Sequence, residues 1–193
     1  MKKKKISLTS LIFMALCCDM GIIAKKLISP AANIITEYLH IPGGVGTSFA
    51  LMFIVIGAVA CNFFGSGLLM CFVQSIISFI IGTSGSMGMF VFVAYLVPGL
   101  IIDLTLLVLR HFSLERNIVG VAFTNAFAGL SAAFCANTLT FRLMGPPLWL
   151  YLGVAFTTGI IFGALASLLL GRLTPLLSKL DEKEHHGANN TKQ

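Results

Sequence analysis

The sequence predicts an all-α integral membrane protein, a bundle of about six transmembrane helices with a short external amphipathic segment after the first. Three observations carry that expectation. Of the 193 residues, 57% are hydrophobic and only 10% charged, with a mean hydropathy of +0.95, a balance far more apolar than a water-soluble domain carries. The apolar residues fall in long runs broken by glycine, proline and charge. The basic residues sit at the ends of those runs instead of forming one patch, so the net charge of +6 marks topology and gives no sign of nucleic-acid binding.

A hydrocarbon layer about 30 Å thick takes roughly 20 residues per helix, which leaves no room for an additional domain. The predicted spans are 6–28, 47–64, 66–82, 87–109, 117–136 and 147–171, within a single transmembrane domain over 1–177. The first follows Lys2 to Lys5 as a signal peptide would. It is long for one, however, and ends at Lys25-Lys26-Leu27-Ile28 without a small-residue cleavage site, so it reads as a retained helix.

Pro30 starts a second periodicity, with Ala31, Ile34, Ile35, Tyr38 and Leu39 on one face and Asn33, Thr36, Glu37 and His40 on the other. This predicts a helix lying flat at the outer surface, either an interfacial anchor or a lid over a binding site. Pro42-Gly43-Gly44 with Gly46 then turns the chain into the second span. The second and third spans are short and separated by Gly65, which leaves open a single bent hairpin or a partly re-entrant helix.

With the N-terminus inside, Lys2 to Lys5, Arg110, Arg116, Arg172, Lys179 and Lys183 fall on the cytoplasmic side, against Lys25, Lys26 and Arg142 outside. Both termini are then cytoplasmic. Residues 178–193 are polar, lack an apolar period and read as a tail with no fold of its own.

Polar side chains inside apolar runs are costly and mark functional candidates: Asp19, Gln74, Asp103 and Asn125, with Asn137 and Arg142 at the outer end of the fifth span. Gln74 and Asn125 fit interhelical hydrogen bonds. Asp103 fits pairing with a base such as Arg110, or snorkelling, as well as a functional role. Asp19 must pair, protonate or meet a partner. Small residues recur at Gly159, Gly163, Ser167 and Gly171, and at Ala128, Ala132 and Ala136, a spacing that suits close packing within the chain or against another subunit.

Enzymatic chemistry is not expected. Gly82-Thr83-Ser84-Gly85 matches the motif of rhomboid-type intramembrane serine proteases, yet the serine needs a base and His40, His111, His185 and His186 all lie outside the later spans. Cys17, Cys18, Cys61, Cys71 and Cys135 form no C-x-x-C pair, and no phosphate loop or metal-ligand cluster is present, so no metal or cofactor is expected.

The basic N-terminus, the six short spans, Ile41-Pro42-Gly43-Gly44 after the first external segment, and Tyr95-Leu96-Val97-Pro98-Gly99-Leu100 with Asp103 together resemble the substrate-binding S components of energy-coupling factor transporters, over residues 8–177. The resemblance implies a plasma-membrane subunit of a bacterium or archaeon that captures a vitamin or precursor. It would work with a transmembrane scaffold and two ATPases on other chains. It also implies a pocket at the outer ends of the later helices under the first external loop, here Glu37, Tyr38, His40, Ser84, Tyr95, Asn137, Arg142 and Trp149. The alanine-x-x-x-alanine face of that family's first helix is replaced by Ala15 and Asp19, with Cys17 and Gly21 as the nearest small spacing for docking. Arg142 would suit an anionic ligand and Glu37 or Asp19 a cationic ring, with a lean to a thiamine-related vitamin. The competing readings are an ion-coupled secondary transporter using Asp19 and Asp103, and a membrane adaptor that carries nothing.

Overall fold

A computed structural model describes residues 8–38, 45–82, 88–139, 142 and 145–190, with the side chains of 32–33, 35–37 and those beyond 175 excepted. It is all-helical over these residues: α1 (Leu8–Tyr38), α2 (Val45–Cys61), α3 (Ser66–Ile80), α4 (Phe90–His111), α5 (Ile118–Leu139) and α6 (Pro146–Asn190).

Three helices are long and apolar enough to cross a membrane: Phe90–His111, Ile118–Leu139 and Pro146–Pro175. They have the character of a membrane protein, because their outward side chains, among them Leu104, Val108, Phe123, Phe134, Ile161 and Leu168, are exposed and apolar. Helices α2 and α3 are apolar but have 17 and 15 residues. At 1.5 Å per residue they reach only about 26 and 23 Å.

Helix α2 is the centre of the bundle. Met52, Ile54, Val55 and Ile56 are all but inaccessible, and the helix is apolar on every side, as a core helix must be. Met70 and Cys71 from α3, Ile102 and Leu106 from α4, and Val121 from α5 close the core around it. Packing of α6 on α5 depends on two glycines: a Cβ at Gly159 would stand 2.5 Å from the Ala126 Cα, and one at Gly163 2.5 Å from the Ala122 Cα. The small-residue stripe is thus used inside the chain at these positions, whereas Gly171 faces open space.

The α2–α3 boundary is a true turn. Asn62 and Gly65 take positive φ of 50° and 93°, the Ser66 hydroxyl donates to the Phe63 carbonyl at 2.8 Å, and α3 starts at Ser66. The segments expected as the second and third spans are therefore separate helices, α2 and α3.

Two expectations are corrected. Pro30 does not start a second, flat helix; it lies inside α1, which runs unbroken from Leu8 to Tyr38. A proline inside a helix forfeits one backbone hydrogen bond, but its fixed φ is helical, so α1 continues through it. The polar segment after Leu177 is helical to Asn190 as an extension of α6, since Leu180 to Glu184 contains good helix formers and no glycine interrupts before Gly187.

A candidate ligand pocket among the six helices

Every helix supplies wall residues to a cavity of about 710 Å³. Helix α1 contributes Gly21, Lys25 and Ser29, which are four residues apart and so share a face, with Ile22, Lys26 and Pro30 beside them. Opposite lie Tyr95 and Pro98 of α4 and the small face of α5, including Gly129, Ala132, Ala136 and Asn137. The space exists because these facing positions carry glycine and alanine where larger side chains would fill it.

At its polar end, Lys25 Nζ donates a hydrogen bond to Tyr95 Oη at 2.9 Å and lies 4.9 Å from the Tyr95 ring centroid. The Ser78 hydroxyl donates to the same phenol oxygen at 3.2 Å. Tyr95 is thereby tied to both α1 and α3. Deeper in, the Gln74 side-chain amide donates to the Cys18 carbonyl at 2.9 Å, and a Cβ at Gly21 would lie 2.6 Å from its Nε2. Glycine at position 21 is what lets this amide cross to α1. The buried Asn137 donates to the Ala133 carbonyl of its own helix at 2.8 Å.

Of the residues expected from the sequence to bind substrate, Tyr95 and Asn137 line this cavity. Tyr38, Arg142 and Trp149 are exposed and lie outside its wall; Trp149 is 74% exposed although Tyr151, two residues on, faces the pocket. His40 and Ser84 lie outside the described residues, as does the side chain of Glu37. Sequence reasoning missed Lys25, Lys26, Ser29, Thr47 and Ser78 as wall residues. The four-residue spacing of Gly21, Lys25 and Ser29 was the available signal.

The other polar groups expected in the apolar runs lie away from the cavity. Asp103, 6% exposed, accepts hydrogen bonds from the backbone N–H of Gly67 at 3.0 Å and of Leu68 at 2.9 Å, at the amino end of α3. Arg110, the base expected to pair with it, instead meets Glu115 at 3.3 Å. Asn125 donates to the carbonyls of Ser48 at 3.3 Å and Gly159 at 2.9 Å, joining α5 to α2 and α6. Asp19 stands exposed on the outer side of α1. Ala15 shares that exposure, while Cys17 and Gly21 face inward and are buried.

No protein family, curated protein or solved structure matches the chain.

Proposed function

We propose that this chain is the substrate-capture membrane subunit of an energy-coupling factor type importer, taking up a vitamin or vitamin precursor at the plasma membrane of a bacterium or archaeon. All six helices cross the membrane in this reading, with α2 at the centre of the bundle and both termini in the cytoplasm. A scaffold subunit and two ATPases on separate chains supply the energy.

The observation that supports it is the pocket. A cavity of about 710 Å³, walled by small and apolar residues with a few converging polar groups, suits a ring-sized metabolite. The chain offers no nucleotide-binding loop that would let it act alone. The exposed side of α1, where Leu11, Ile12 and Leu16 accompany Ala15 and Asp19, is the surface proposed for the scaffold.

An ion-coupled transporter using Asp19 and Asp103 has less support, because neither carboxylate lines the cavity and Asp103 is engaged at the end of α3. The deciding experiment is purification of the tagged chain in mild detergent from its own host. Recovery of a membrane scaffold, paired ATPases and a vitamin released on denaturation supports the proposal. A folded preparation that brings down none of them refutes it.

A further inference from the structure

The pocket is electrostatically one-sided. Its wall includes Lys25 and Lys26 and, among the described residues, contains neither aspartate nor glutamate. Lys25, half-buried, is held by the Tyr95 phenol, and among the described residues no carboxylate forms an ion pair with either lysine. An ammonium group at a largely apolar cavity, met by the oxygen and ring of Tyr95 and by no carboxylate among the described residues, is satisfied best by an anion.

The remaining walls give the shape of the partner. Tyr95 presents a ring, Ala132, Ala133 and Ala136 line the α5 side with small side chains that leave room for a ring, and Gln74 and Asn137 carry amides. We infer that the pocket selects an organic anion, whose carboxylate or phosphate meets Lys25 near Tyr95 while a planar apolar body lies against the α5 alanines. Lys26, at the edge of the same wall, draws the acidic group inward. The inference rests on the capture reading and narrows it. A permanently cationic ring such as that of thiamine is disfavoured. Because each of the six helices contributes to the wall, the occupant is a soluble molecule within the bundle and not a lipid headgroup on its flank.

Three probes of one shape and different charge test this: nicotinate, nicotinamide and 1-methylnicotinamide. Their binding is measured by saturation-transfer NMR on the full chain in phosphatidylcholine nanodiscs. Nicotinate is expected to bind about tenfold more tightly than 1-methylnicotinamide, as a charge-assisted contact requires. Lys25→Met removes that preference while leaving nicotinamide within about twofold, and Lys25→Arg, which keeps the charge, retains it. Equal binding of the three probes, a preference that survives Lys25→Met, or failure of nicotinate to bind overturns the inference. Loss of nicotinate binding when phosphatidylglycerol is added to the nanodiscs also overturns it, by assigning the site to a headgroup. Failure of the capture reading is seen separately: a scaffold and ATPases recovered with a cationic vitamin refute only the anion, whereas their absence refutes capture and leaves the charge preference measurable.

Discussion

Asp103 of α4 holds the amino end of α3 through the backbone N–H of Gly67, at 3.0 Å. Its second oxygen takes the N–H of Leu68 at 2.9 Å, so one carboxylate satisfies two of the donors that a helix start leaves open, at the positive end of the helix dipole. The close approach depends on Gly67, where a Cβ would lie 2.9 Å from the Ile102 side chain and 3.1 Å from Asp103 itself. An acid in an apolar run is explained here by a backbone end that would otherwise be unpaired.

Asp103→Ala is therefore expected to lower stability by about 2–3 kcal/mol, the cost of leaving buried donors without a charged acceptor. Asp103→Asn keeps one acceptor and should lose roughly half as much. Denaturation of the detergent-solubilised chain measures both. Uptake by Asp103→Asn, corrected for the amount of folded protein, should match wild type; a specific loss of uptake would instead return Asp103 to a proton or ion pathway.

The α5–α6 seam gives a paired test. Gly163→Ala places a methyl against the Ala122 backbone, which can yield only if the helices part, so a loss of about 1–3 kcal/mol is expected. Gly171→Ala, eight positions further along the same helix and facing open space, should be neutral or slightly stabilising. Similar unfolding midpoints for the two variants would mean that the seam is looser than 2.5 Å implies.

Tyr95→Phe keeps the ring and removes the oxygen that joins Lys25 to Ser78. Substrate affinity should fall about 3- to 10-fold, the range of one hydrogen bond that positions a charge, with the unfolding midpoint little changed. Equilibrium binding of the molecule that co-purifies with the chain measures it. An unaltered affinity would detach the Lys25–Tyr95 pair from ligand recognition.

Helix positions are legible because glycine, proline and charge punctuate the apolar runs: the third span is expected at 66–82 and forms as Ser66–Ile80, the fifth at 117–136 and forms as Ile118–Leu139. Facing is less legible. Lys25 and Lys26 read as markers of membrane side, since a charge count gives depth and says nothing of rotation about the helix axis. Trp149 and Tyr151 share a depth, yet only Tyr151 faces the cavity, because the direction of inward depends on where α1 and α5 stand. Pro30 misleads for a different reason: proline favours the first turn of a helix, but its φ is helical at any position, so the residue does not say whether a helix precedes it. Asp103 could not be assigned from sequence at all, since its partners are backbone groups 35 and 36 residues away.

The outer side of α1 supplies the last test. Asp19 is exposed there between Leu16, Met20 and Ile23, themselves 57%, 49% and 51% exposed. If α1 crosses the membrane as proposed, a carboxylate there costs about 2.5–3.5 kcal/mol on insertion scales, and the fold leaves it facing outward. A neighbouring helix that offers a cation or an amide would relieve that cost, which is why this face is proposed to meet the scaffold. Asp19→Leu should make the isolated subunit as stable as wild type or more so, while reducing recovery of the scaffold on purification by about tenfold, the equivalent of one charge-assisted contact. Asp19→Asn, still able to accept a hydrogen bond, should retain an intermediate amount. Full recovery of the scaffold with Asp19→Leu would move the docking surface to another helix, whereas a loss of stability in the isolated chain would show that Asp19 serves the fold rather than a partner.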